Sequence, residues 1–419
     1  MTTRLCSSKR LHAIITISTL LATLAFAATT YAKTKILPND PGEDHLFGSA
    51  VGIHGNHAIV GSWGDDHRGT LSGSAYLFDA TTGMQTYKLI ADDAAMGDRF
   101  GESVGVSGNH AIVGAFHNDE NGLGSGAAYI FNATTGQQIH KLAADDAAAD
   151  DYLGSAVGIS GNLAVVGAYG DDDFGSFSGS AYVFNATTGQ QVSKLNALDA
   201  DEGDYFGRSV GISGGIAIVG AIENDDHGTR SGSAYLFNAT TGEQFHKLTA
   251  DDAAEDDRFG HAVAISGNTA IVGAQGNDDD GSFSGSAYLF DVTTGEQLFK
   301  LTADDAASGD GFGISVAISG DIAIVGAWHD DDHGQDSGSA YFFDITTGEQ
   351  ITKITASDAA EADFFGAAVA IAGNNSIIGA FGNDDFASRA GSAYLYEIPE
   401  PASLTLLSLL APAFLRRRH

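Results

Sequence analysis

Apolar residues alternate with polar or small ones in short runs along nearly the whole chain. Ser103-Val104-Gly105-Val106-Ser107, Ala111-Ile112-Val113-Gly114-Ala115, Ala128-Tyr129-Ile130-Phe131 and Gln138-Ile139-His140-Lys141-Leu142 are representative. A hydrophobic period of two over four to six residues predicts short strands. Turn chemistry separates them: Ser107-Gly108-Asn109 between the first two, an Asp/Asn/Gly-rich stretch over about 117–126, then Ala133-Thr134-Thr135-Gly136. One such group therefore reads as four antiparallel strands.

The group recurs with a fixed period. Phe47-Gly48 returns as Phe100-Gly101, Leu153-Gly154, Phe206-Gly207, Phe259-Gly260, Phe312-Gly313 and Phe365-Gly366, every step being 53 residues. A glycine column at Gly61, Gly114, Gly167, Gly220, Gly273, Gly326 and Gly379 keeps the same register without an insertion. Seven units of four strands predict an all-β fold, a seven-bladed β-propeller of four-stranded antiparallel blades. The first strand of each unit is rich in small residues, such as Ala50 and Gly52 or Ser209 and Gly211, which suits the crowded axis of a ring. The seventh unit lacks a fourth strand, and Thr34 to Pro38 align with the missing one, so the N-terminal strand is expected to close the ring. An open solenoid is the alternative, but it would leave its end strands unpaired.

Phe-Gly-x-Ser-Val, followed by Ala-Ile-Val-Gly-Ala and Gly-Ser-Ala-Tyr-Leu-Phe, resembles the FG-GAP repeat of integrin α-subunit propellers over residues 35–396. The resemblance implies a seven-bladed propeller and a role in adhesion or recognition. Integrin-type repeats often carry an Asp-x-Asp-x-Asp-Gly calcium loop between the first two strands. Here that connection is as short as Ser160-Gly161-Asn162, so the loop does not transfer.

The two ends read as addresses. Arg4, Lys9 and Arg10, an apolar run from Leu11 to Ala28 and small residues offering cleavage after Ala27 or Ala32 read as a secretory signal peptide over residues 1–32, with an N-terminal membrane anchor as the alternative. Residues 33–398 are the propeller. Residues 399–419 hold Pro399-Glu400-Pro401, an apolar stretch over 402–415 and Arg416-Arg417-Arg418-His419, and resemble the PEP-CTERM sorting signal of Gram-negative bacteria. That resemblance implies export to the envelope, outer surface or matrix, processing by exosortase-type machinery, and only transient membrane association. The single cysteine, Cys6, lies in the segment to be removed, which leaves no disulfide in the mature chain. A formal net charge of −34 repels the phosphate backbone, which argues against nucleic acid as a partner.

Candidate chemistry follows the columns. Asp66, Asp119, Asp172, Asp225, Asp278, Asp331 and Asp384 are aspartate in every unit, with further acids beside them and a glycine two or three positions later. Clustered carboxylates at a glycine turn supply the oxygens that Ca²⁺ takes, so these seven are candidate metal ligands and calcium is a candidate stabilising ion. The same residues also cap turns and keep an exported protein soluble. A second column, Asp40, Asp93, Asp146, Asp199, Asp252, Asp305 and Asp358, is expected to accept backbone N–H groups at the blade-to-blade turns. The column Trp63, Phe116, Tyr169, Ile222, Gln275, Trp328 and Phe381 offers rings for sugar stacking, or for packing between blades. Two Gly-x-Ser-x-Gly matches, around Ser103 and Ser209, sit inside strands instead of at a strand-to-helix elbow. Ser49, Glu102, Ser155, Arg208, His261, Ile314 and Ala367 vary after the Phe-Gly pair, where a channel mouth would lie. Because most suggestive groups are repeated about seven times, the reading is a non-enzymatic recognition or adhesion propeller with no catalytic residues. Its ligand is expected to be an extracellular polysaccharide or a surface protein. The alternatives are a secreted hydrolase using the channel mouth, and a purely structural matrix protein.

Overall fold

The computed structural model describes residues 32–398; the predicted leader and sorting signal lie outside that range, except for Ala32 at the leader's end. Lys33–Tyr396 form one compact unit of seven four-stranded antiparallel sheets arranged as a ring, and the described residues contain no helix. The first blade runs outward through Val51–His54, His57–Ser62, Ser74–Asp79 and Gln85–Leu89. The next five repeat this order. In the last blade Phe365–Ala372, Asn375–Ala380 and Ser392–Glu397 are followed by Ala32–Ile36 as the outer strand. The closure expected from the 53-residue register is thus present.

Residue size explains the radial order. Glycines of the inner strands nearly touch the next blade: a Cβ on Gly52 would stand 3.4 Å from the Cα of Gly105, and one on Gly211 3.4 Å from the Cα of Ala264. Only hydrogen or methyl side chains fit this column, which leaves a channel of about 220 Å³ lined by Gly, Ala, Val and Ile and by their backbone. The second and third strands are buried on both faces and carry Ile59, Val60, Tyr76 and Leu77 or their equivalents. Each blade packs on its neighbour, as where Ile59 and Leu77 meet Val104, Val113 and Tyr129 of the next blade.

The Phe-Gly pair staples blades together. Phe100 pairs its backbone with Gly73 of the preceding blade, while its ring lies edge-on to Tyr129 and Phe131 at 5.5 and 5.8 Å. A Cβ on Gly114 would overlap the carbonyl oxygen of Gly154, and a Cβ on Gly379 that of Gly48. The last contact joins the seventh blade to the first, so ring closure uses the same glycine-to-carbonyl approach as every other joint.

Candidate functional site

Each blade clasps one lysine. The register pairs Tyr76 with Lys88 across the third and outer strands, which lays the ammonium over the phenol ring at 5.3 Å. There Lys88 Nζ donates to Asp40 (2.7 Å) and Asp65 (2.9 Å). Lys194 donates to Asp146 (2.8 Å), Asp171 (3.0 Å) and Asp173 (2.6 Å), and Lys353 to Asp305, Asp330 and Asp332 at 2.6–2.7 Å. Lys141, Lys247 and Lys300 occupy the same place. Lys35 of the N-terminal strand completes the set through Asp358 (2.8 Å), Asn383 (3.0 Å) and Asp385 (2.6 Å). Burial opposes the charge on Lys194, but its bonds to the three aspartates outweigh that and hold its pKa above the ordinary lysine range.

This arrangement places the aspartate columns. The Asp40 column serves chiefly as lysine acceptor, and the carboxylates of Asp93, Asp146, Asp252 and Asp358 also accept a backbone N–H, the role expected from sequence. Asp66, Asp119, Asp172, Asp225, Asp278, Asp331 and Asp384 are all exposed, one per blade. The carboxylates of Asp66, Asp119 and Asp331 accept the N–H five residues on, at 2.7–2.8 Å. The position before this column is the buried one: Asp65, Asn118, Asp171, Asn224, Asn277, Asp330 and Asn383. Among the described residues, three carboxylates approach one another at Asp146, Asp171 and Asp173 and at Asp305, Asp330 and Asp332, and neither group contains a member of the exposed column. Both groups surround a lysine ammonium, so Ca²⁺ would enter only by displacing Lys194 or Lys353.

A further buried carboxyl lies beside the clasp. Asn118, Asn224, Asn277 and Asn383 offer an amide to Asp98, Asp204, Asp257 and Asp363 at 3.3–3.5 Å. In the third blade the partner is instead Asp171, and Asp151 has its pKa pushed up to about 6, first by burial and then by the charge of Asp171. The folded state therefore holds a proton that the unfolded chain releases. Its contribution is full below about pH 4 and is lost as pH rises through 6. Asp151→Asn should raise stability at pH 8 by on the order of 2 kcal/mol, after discounting for solvent, and flatten the decline between about pH 4 and 6. Denaturant melts across that range check this; an unchanged slope would sink it.

Nearer the axis on this face, the side chains break the seven-fold pattern. The residue before each Phe-Gly pair is Leu46, Arg99, Tyr152, Tyr205, Arg258, Gly311 or Phe364, every one with φ between 54° and 63°. A second left-handed column holds Leu71, Gly124, Phe177, Arg230, Phe283, Asp336 and Arg389. The two are joined by backbone bonds such as Arg99 N–H to Leu71 O (3.0 Å) and Tyr205 N–H to Phe177 O (3.0 Å). Each non-glycine residue here costs about 1–2 kcal/mol relative to glycine. Gly311 and Gly124 show that glycine is accommodated, so the large side chains are held against a conformational penalty.

Those side chains assemble into clusters. The Arg99 guanidinium lies over Trp63 (4.9 Å) and Phe116 (5.7 Å), and Arg208 over Tyr169 (5.8 Å). Tyr152 stacks on Tyr169 (5.2 Å), Tyr169 on Tyr205 (5.7 Å) and Tyr205 on Phe177 (5.2 Å). Burial pushes the Glu102 carboxyl up, against the pull of Arg99 and Arg208, and its Oε2 is buried without a hydrogen-bond partner. His261 is pushed down to about 3 by burial and then by Arg208 and Arg258, and its Nδ1 meets Gln275 at 3.2 Å. Sequence reasoning picked out Glu102, Arg208 and His261 but missed the two left-handed columns that surround them.

Comparison with known families agrees with this geometry. The FG-GAP repeat pattern matches seven times in succession, at residues 32–78, 84–131, 137–184, 190–237, 243–290, 296–343 and 349–396. The chain belongs to the FG-GAP repeat family. No curated protein matches it. In this FG-GAP ring the link between the first two strands of a blade is a tight turn, as between Val157–Ser160 and Leu163–Ala168. The serines of the two Gly-x-Ser-x-Gly matches are engaged in the FG-GAP joints: Ser103 Oγ donates to Gly154 O (2.8 Å) and Ser209 Oγ to Gly260 O (2.7 Å).

Proposed function

We propose that this FG-GAP propeller is an exported, non-enzymatic recognition module of the cell surface or extracellular matrix. It would be delivered by its leader, processed by exosortase-type machinery, and bind polysaccharide or a surface protein through the rim of its channel mouth. One observation carries the reading: large arginine and aromatic side chains are kept at left-handed positions where glycine fits, on one face of an otherwise uniform ring. Strain retained at variable surface positions is characteristic of ligand contact. The lysines Lys35, Lys88, Lys141, Lys194, Lys247, Lys300 and Lys353 are bound internally, so the arginines supply the positive charge at this rim.

The test is fractionation of the producing cells followed by pull-down of envelope and matrix polymer with the purified protein. Recovery outside the cytoplasm with saturable retention of surface polymer is the expected result. Cytoplasmic retention would defeat export, and failure to retain any surface component would leave a structural matrix protein.

A further inference from the structure

Gly311 is the one glycine in the first left-handed column, and its effect is local. Where the other six blades place Leu, Arg, Tyr or Phe, the side chain is absent, and a cavity of about 510 Å³ opens between the fifth and sixth blades. That volume falls within the ~300–1,000 Å³ of small-ligand sites. A Cβ at Gly311 would stand 3.1 Å from Trp328 Nε1, so the missing side chain uncovers the indole. Arg258, Gln275, Phe283, Trp328 and His329 form its walls. Phe283 is exposed and sits at a left-handed φ of 56°.

The polar walls are unevenly satisfied. Arg258 forms no ion pair among the described residues, and its Nε is buried with no hydrogen-bond partner. The neighbouring Arg230 is neutralised by Asp256, and His329 Nδ1 is held by Asp336 at 2.5 Å. A half-buried guanidinium whose Nε has no partner, beside the Nε1 edge of a half-buried indole and an exposed phenyl ring, lacks an anion and a flat partner. A guanidinium fork matches a carboxylate, and aromatic faces match the C–H face of a sugar ring. The net charge of −34 repels long polyanions, so a chain end or short oligosaccharide is favoured over an extended polymer.

We propose that the cavity between the fifth and sixth blades binds a uronate sugar, its carboxylate paired with Arg258 and its ring laid against Trp328 and Phe283. This rests on the recognition reading above and names the ligand class for one sector of that rim. The repeats themselves supply the control: Gly311→Tyr restores the side chain found at Tyr152 and Tyr205, in the conformation those residues already adopt.

Calorimetric titration of the purified protein with digalacturonate, its methyl ester and a sulfated disaccharide tests the proposal, alongside Arg258→Gln and Gly311→Tyr and with melting temperatures recorded for each variant. Saturable digalacturonate binding is expected, at least ten-fold weaker for the ester and for Arg258→Gln, and abolished by Gly311→Tyr with the melting temperature within a few degrees of the parent. Should Gly311→Tyr fail to fold, Arg258→Gln decides alone. Equal affinity for the ester, tighter binding of the sulfated sugar, no saturable binding, or indifference to Arg258→Gln each overturns the assignment. If surface polymer is still retained by both variants, the recognition reading stands while this site falls; if the parent retains none, the recognition reading itself has failed.

Discussion

Removing residues 32–38 should destabilise the ring by on the order of 5 kcal/mol or more and make it prone to self-association. The deleted strand contributes the ladder to the seventh blade's third strand, about 1 kcal/mol per hydrogen bond, and the burial of Ile36, about 2 kcal/mol. Ile36 packs with Phe47, Tyr76, Ile377 and Leu395, so its loss opens the joint between last and first blades. Without Lys35, Asp358 and Asp385 lose their counter-ion. The third strand of the blade becomes a bare edge able to pair with another molecule. Thermal melts with light scattering, on parent and truncated protein, give the answer, and a synthetic peptide of residues 32–38 should partly restore the parent behaviour. An unchanged melting temperature would mean that closure does not depend on this strand.

The second large effect is expected from the double change Lys194→Met with Lys353→Met. Each substitution strands three carboxylates that now share an ammonium, one of them nearly buried: Asp171 or Asp330. Breaking such a partly buried cluster costs roughly 2 kcal/mol per site, less than a fully buried pair because the outer aspartates are about half exposed. Ca²⁺ should leave the parent's melting temperature unchanged while raising that of the double variant, because the lysine then no longer competes for the oxygens. A saturable Ca²⁺-specific rise in the parent, lost on Asp172→Ala with Asp278→Ala, would instead assign the ion to the exposed column.

These two cases mark how far the sequence could be read. The 53-residue period, the four strands, the small residues at the axis and the closing role of Lys35-Ile36 were all legible, because each follows from spacing and size alone. The clasp was less so. Its lysine is constant from Lys35 to Lys353, but nothing along the chain indicates that Tyr76 opposes Lys88 and directs the ammonium between two loops. The exposed aspartate column stands out by being invariant, whereas the working position one residue earlier is Asp in three units and Asn in four, since an amide oxygen can also accept from lysine, as Asn118 does from Lys141 at 3.0 Å. The left-handed columns were invisible for a different reason: backbone sign is normally inferred from glycine, and here Arg, Tyr and Phe adopt it.

The closing strand also imposes an order in time. Six blades are built from contiguous stretches of chain and can form as soon as their own residues are available, but the seventh combines the first described strand with the last. The early strand must wait for almost the entire chain before it finds its partner. A prematurely terminated product, whatever number of blades it has formed, lacks the partner and stays open. Closure therefore requires the complete run of repeats, and a chain that stops short keeps a bare strand edge open to pairing.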